Sequence, residues 1–259
     1  MIIRSLSVEN VRTHTSFRHA LSPNVTLIMG RNGSGKTTLL EAVAVALSGK
    51  SFKGTDKELL RQGGEWWRVD ITLDDQLRTV KYNPGVPTKR KQFVVDEKTT
   101  SRLPVQSHYP VVLFEPEDLR LINGSPSRRR QFIDRFIAQL DPNYSRIIHR
   151  YERALLQRNR LLKTGSTSAD IFAWNISISE YGAQIIDARV RLIEQLNLGL
   201  QATYDTIAQS KDNVSIHYSH TLIDNTQQKL LRELEQQYER DRILGSTSVG
   251  PHRHDLLFY

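Results

Sequence analysis

Gly30-Arg31-Asn32-Gly33-Ser34-Gly35-Lys36-Thr37 fits the pattern G-x-x-x-x-G-K-[ST], a residue set suited to gripping phosphate. Its glycines allow left-handed backbone, which turns consecutive amide hydrogens toward phosphate oxygens, and the positive end of a following helix faces the same charge. Lys36 is expected to reach the β- and γ-phosphates of a nucleoside triphosphate, and Thr37 to ligate magnesium. Thr38, directly after the motif, completes the set Gly30 to Thr38 expected to line the nucleotide site.

Such a loop works only between a strand and a helix. Val25-Thr26-Leu27-Ile28-Met29 reads as the strand, and Thr38 to Leu47 is an apolar, helix-compatible run. Before them, Met1 to Leu6 begins a strand-like pattern, so the segment to about Gly49 opens a nucleotide-binding α/β core as strand, turn, strand, phosphate loop and helix. Short β-rich runs follow at Val69 to Leu73, Leu77 to Tyr82, Gln92 to Asp96 and Val111 to Phe114, with turn signals at Asp74-Asp75 and Pro84-Gly85. They predict an antiparallel meander attached to the core, with Lys89-Arg90-Lys91 near a loop tip.

Helical signals dominate from Ser125 onward. Ser125-Pro126 is an N-cap with proline at the first helical position, and Phe132, Ile133, Phe136, Ile137 and Leu140 form one apolar face. Asp141-Pro142 repeats the start signal for a second helix, which Thr164 to Ser168 ends. A long third helix carries Ile171, Trp174, Ile178, Tyr181, Ile185, Ala188 and Leu192 in alternating steps of three and four, which suits an antiparallel pair with an internal seam. A brief strand at Val214, Ile216 and Tyr218, a charged helix from Gln227 to Arg242, and a turn into an apolar strand after Gly250 complete the pattern.

The 259 residues contain no cysteine, which excludes disulfides and thiolate zinc sites and suits a reducing cytoplasm. No basic, apolar and small-residue series opens the chain, which argues against secretion, and no apolar run approaches the roughly 20 residues that span a bilayer. Lys and Arg number 36 against 28 Asp and Glu, a net charge of +8. That surplus favours a polyanionic partner, and the triplets Lys89-Arg90-Lys91 and Arg128-Arg129-Arg130 are candidate DNA contacts; solvated surface charge is the plain alternative.

Several blocks coincide beyond the phosphate loop: Phe114-Glu115-Pro116-Glu117-Asp118-Leu119, Gly124 to Asp134 with its three arginines, Tyr151 to Asn159, and Gly250-Pro251-His252-Arg253. In order and spacing they resemble the RecF family of bacterial DNA replication and repair proteins, from Val8 to the last residue. The resemblance implies an ABC-type ATPase head related to SMC proteins: an α/β fold with an antiparallel β subdomain and a helical lobe holding an antiparallel helix pair. It implies ATP and Mg2+ as cofactors, and single-stranded or gapped duplex DNA as partner. It also implies an ATP-dependent homodimer, recombination-mediator proteins as further partners, and a role in gap repair and the SOS response in the cytoplasm. The residue matching Arg12 contacts nucleotide in such heads. The family often has Gln at Ser34, Asn at Thr38 and an acid at His254.

Three segments are expected: 1–124 as core with β subdomain, 125–212 as helical lobe, and 213–259 as return strand, charged helix and the start of a further core half. ABC-type heads also need a serine-rich signature and an apolar strand ending in adjacent acids, and neither follows Phe258, so the sequence reads as truncated and as binding ATP without efficient hydrolysis. Val111 to Glu115 imitates the acidic strand but aligns with a different family block. Glu117 and Asp118 are weaker candidates for a magnesium contact, with helix capping as the plain alternative. A self-sufficient P-loop phosphotransferase, using Glu115 or Asp118 as its metal acid, remains the competing function.

Overall fold

Trp67, Val69, Ile71 and Leu73 are buried while Arg68, Asp70 and Thr72 between them are less so, the period-two pattern of a strand with one face on a core. That strand is central in a six-stranded sheet built from β1 (Ile3–Val11), β2 (His14–Ala20), β3 (Trp67–Leu73), β4 (Gln76–Tyr82), β5 (Lys91–Val95) and β6 (Lys98–Thr100), ordered β2-β1-β3-β4-β5-β6. Every neighbouring pair is antiparallel, so the two opening strands and the meander form one sheet. Asp96 and Glu97 between β5 and β6 have φ of 49° and 63°, the paired left-handed residues of a tight hairpin.

This computed structural model describes residues 2–74, 76–210, 212–220 and 225–259. Met1, at the head of the strand-like start, and Asp75, second in the Asp74-Asp75 turn signal, lie outside the described residues. The chain divides into two compact units, Met1–Leu113 and Phe114–Tyr259.

In the first unit, helix α1 (Lys36–Ser48) packs Leu39, Ala42, Val45 and Ala46 into the core that Leu6, Val8, Val69, Ile71 and Val80 supply from the sheet. Alanines at the contact bring the helix close, and each large apolar side chain buried there contributes about 1.5–3 kcal/mol. Gly49 ends α1 in the left-handed conformation, its amide donating to Val45 O at 2.9 Å. A short helix α2 (Asp56–Leu59) follows, with a Thr55 and Glu58 capping box.

Two expected strands are absent as strands. Residues 25–29 find no ladder partner and Val25, Leu27 and Met29 are 76–79% exposed, although Ile28 packs on the core. Val111 to Phe114 likewise takes no strand conformation, with Val112 and Phe114 exposed. A strand needs a ladder to satisfy its amides and carbonyls in series, and among the described residues neither run joins a sheet.

The second unit holds α3 (Arg120–Asn123), α4 (Pro126–Leu140), α5 (Tyr144–Lys163), α6 (Ser168–Ala208), β7 (Ile216–Tyr218), α7 (Thr226–Gln236), α8 (Tyr238–Leu244) and β8 (Leu256–Phe258). Ser125 caps α4 by accepting from Arg128 N, with Pro126 inside the first turn. The second helix begins at Tyr144 after N-cap Asn143, later than the Asp141-Pro142 signal suggests, because Asp141 Oδ1 accepts from Asn143 N and holds a turn there. Ile171, Ile178, Ile185 and Leu192 of the expected seam are buried, so it is core. The charged stretch expected as one helix is two, broken at Gln237, and β7 pairs antiparallel with β8.

Two arginines organise this unit. Arg158, fully buried, donates to Asn175 Oδ1, Asp241 Oδ2, Thr247 Oγ1 and Leu234 O, all within 3.1 Å. Arg189 makes a two-pronged pair with Asp134 at 2.8 Å and donates to Tyr218 Oη and Pro251 O. Gly250 has φ 123° and a Cβ there would lie 2.6 Å from Tyr151 Oη, so only glycine lets the Gly250–Arg253 turn pass the tyrosine.

Candidate functional site

The phosphate loop turns into α1 at Gly35, whose φ of 88° and the 82° of Gly33 need glycine. A Cβ on Gly35 would also collide with the His14 imidazole and lie 2.5 Å from Thr13 Oγ1. Gly35 is the N-cap of α1 and offers no side chain to the first-turn amides, and that turn contains no acid. These donors are therefore uncapped at the positive end of a 13-residue helix, an arrangement that attracts anions.

Lys36 folds back over the loop, its Nζ donating to Gly30 O at 2.8 Å and Arg31 O at 2.9 Å. The ammonium thus sits beside the uncapped amides, adding charge to their dipoles. His14 of β2 braces the far side by donating from Nε2 to Gly35 O at 3.1 Å. Beneath the loop lies a cavity of about 380 Å³ lined by Gly30, Ser34, Lys36, His14, Phe17 and Met29 among others. Arg31, Asn32, Ser34 and Thr37 are exposed, whereas Thr38 is buried and packs inward with α1.

Arg12 stands in the β1–β2 turn with φ 46°, and its Nη2 donates to Glu41 Oε1 at 2.8 Å. Ser51 Oγ donates to the same oxygen at 2.7 Å and itself accepts from Lys53 N and Gly54 N. Glu41, 1% exposed, therefore ties the β1–β2 turn and the loop after α1 to the helix that carries the phosphate loop. Sequence reasoning passed over Glu41, Ser51 and His14. Glu41 did carry a signal, as the one ionisable residue in the apolar run from Leu39 to Leu47.

The basic triplets come apart. Lys89 and Arg90 are exposed, but Lys91 is mostly buried, paired with Asp56, donating to Gly49 O at 2.9 Å and lying over the Trp67 and Phe93 rings. Burial holds its ammonium below the usual lysine range, against the pull of Asp56. Arg129 is held by both oxygens of Asp255 and by three carbonyls, Leu121 O, Ile122 O and Gly124 O. Arg130 donates to His254 O at 2.8 Å, and Arg128 to Glu117 O at 3.1 Å. Four of the six candidate cations thus have partners within their own unit.

Glu115 and Asp118 form a reciprocal capping box around the 3-10 turn Pro116–Leu119, and Glu117 is exposed beside them. His254 accepts a hydrogen bond at Nδ1 from Tyr218 Oη, 3.1 Å away, and stacks on His220 with centroids 4.6 Å apart. No helix among the described residues is long and apolar enough to cross a membrane.

Known proteins resemble the chain in domain type, in sequence and in structure. The family model described as AAA domain matches residues 5–243. The chain is 32% identical to the DNA replication and repair protein RecF of Leptospira interrogans, over 99% of this chain and 71% of that one. It is 35% identical to the RecF of Chlamydia caviae, again over 99% and 71%. A solved structure of the recombination mediator protein RecF with ATPrS in the RecFOR pathway matches with a TM-score of 0.83 at 27% identity, covering 99% of this chain and 73% of that one.

Proposed function

The chain belongs to the RecF family of DNA replication and repair proteins, and on that premise we propose that its phosphate loop binds ATP with magnesium in the service of DNA binding and gap repair. The observation that carries this reading is the uncapped N-terminus of α1, with left-handed Gly33 and Gly35 and the Lys36 ammonium beside it. Amides of the first turn would take the phosphate oxygens, and Lys36 would exchange its two carbonyl partners for the outer phosphates. Thr37, exposed at the head of the helix, would present its hydroxyl to the metal, which when bound neutralises phosphate charge. Support from similar proteins comes from RecF solved with ATPrS and with ATP.

Arg12 serves this site from the β1–β2 turn, held in direction by Glu41. In the cell the protein acts in the cytoplasm, pairs with a second copy when ATP is bound, and works with recombination-mediator proteins in gap repair and the SOS response. Against the competing phosphotransferase reading, the Asp118 carboxylate already accepts from Glu115 N at the head of a 3-10 turn.

Isothermal titration of ATP into wild type and Lys36→Ala tests the site. A charge-assisted hydrogen bond contributes about 1.5–3 kcal/mol, so the variant should lose about tenfold or more in affinity while keeping its fold. Equal affinity in two folded samples would remove the phosphate loop from the binding site.

A further inference from the structure

The positive charge of this chain is lodged almost wholly in one unit. Residues 1–113 hold 17 Lys and Arg against 10 Asp and Glu, a net of +7, whereas residues 114–259 hold 19 against 18, a net of +1. The first unit also carries a groove of about 700 Å³ where α1 ends, away from the phosphate loop at its start. Thirteen residues at 1.5 Å each put the two ends of α1 about 20 Å apart, so groove and phosphate loop are separate features.

The groove has a cationic rim and a partly apolar floor. Lys50, Arg102 and His108 line it from the loop after α1 and the segment after β6, with Lys91, Phe93 and Leu103 below. Its one acid, Asp56, is already paired with Lys91. Among the described residues the Lys50 and Arg102 side chains have neither hydrogen bond nor ion pair, and both are exposed. Lys50 is close enough to Lys91 to add to the lowering of its pKa, and with Asp56 taken up by Lys91 the groove offers no second acid to offset Lys50 and Arg102. The exposed pair Lys89-Arg90 precedes Lys91 and extends the positive surface beyond the groove. Unoffset cations held together cost stability through repulsion, which a polyanion relieves.

We propose that this groove is the DNA-contacting surface of the first unit, with Lys50 and Arg102 neutralising backbone phosphates and Lys91 holding the floor on which they stand. The inference rests on the DNA-binding reading above and gives it a location. It also moves the contact off Arg128, Arg129 and Arg130, which are engaged inside the second unit.

The test measures binding of a fluorescein-labelled duplex oligonucleotide to the 259-residue chain across a salt series, for wild type and for the double variants K50A/R102A and K50R/R102K. Each lost phosphate contact lowers the slope of log affinity against log salt by about 0.9, which at 0.1 M salt is about eightfold in affinity. K50A/R102A should therefore lose about 1.8 in slope and about 60-fold in affinity, with ATP affinity unchanged, while K50R/R102K keeps the wild-type slope. A wild type that binds DNA alongside a K50A/R102A variant of equal slope would overturn the groove alone. A wild type that binds no duplex at low salt would overturn the DNA-binding reading, and the groove with it.

Discussion

Arginine and lysine do opposite work in the two units. In the second, guanidinium groups are internal fasteners: Arg158 meets Asp241 at 2.7 Å with both fully buried, Arg189 meets Asp134, and Arg129 meets Asp255. In the first, Arg12 and Lys91 pair with Glu41 and Asp56 and Arg78 serves backbone carbonyls, but most of the surplus charge faces water. A run of basic residues in the sequence therefore says little about where a polyanion binds. The distribution of acids that could answer them says more.

The largest effect that would sharpen this contrast comes from removing an acid in the second unit. Asp241→Ala leaves Arg158 charged and buried without its counter-ion, and breaking such a pair costs about 3–5 kcal/mol. Arg102→Ala, a surface change in the first unit, should stay within about 0.5 kcal/mol. Urea denaturation of both variants checks the difference; similar midpoints would mean that the arginines of the second unit are not its fasteners.

An effect that is smaller for each pH unit comes from two histidines of the second unit. His252 accepts from Tyr151 Oη at Nδ1 and donates from Nε2 to Thr247 O, and burial first of all lowers its pKa to about 4. His254 is lowered to about 3, by burial and then by His220 and Arg189. An unfolded histidine takes up its proton near pH 6.5, so below that pH the unfolded chain holds more protons than the folded one. Stability is thus complete above about pH 6.5 and falls as pH drops toward 4, by about 1.4 kcal/mol per pH unit for each histidine. Denaturation midpoints between pH 7 and 4.5 should fall accordingly, and His254→Asn should flatten the decline by one proton's worth. A decline equally steep in that variant would place the titration elsewhere.

Local chemistry was legible in the sequence, and pairing over distance was not. The phosphate loop, the Ser125-Pro126 helix start and the Val69 to Leu73 run depend on neighbours within a few residues; the helix starts and the strand stand where the pattern put them, the strand two residues longer at its head. Residues 25–29 have the composition of a strand, but a strand also needs a partner, which no local pattern supplies. Arg129 and Asp255 are 126 residues apart, so nothing local distinguished that arginine from a free surface cation. Lys91 was misleading for the same reason: its burial depends on Trp67, Phe93 and Asp56 from other elements. In the proposed nucleotide site the loop itself was readable, whereas the Glu41 link between Arg12 and Ser51 became visible only when three segments met.

The most direct measurement of the central claim is hydrogen–deuterium exchange of the folded chain with and without ATP and magnesium. Exchange should slow at the amides of Gly35 to Thr38, the uncapped donors at the head of α1, with little direct change at the buried Arg158 network. Unchanged exchange at those amides under saturating ATP would contradict the claim, because phosphate would then be held by something other than the helix N-terminus.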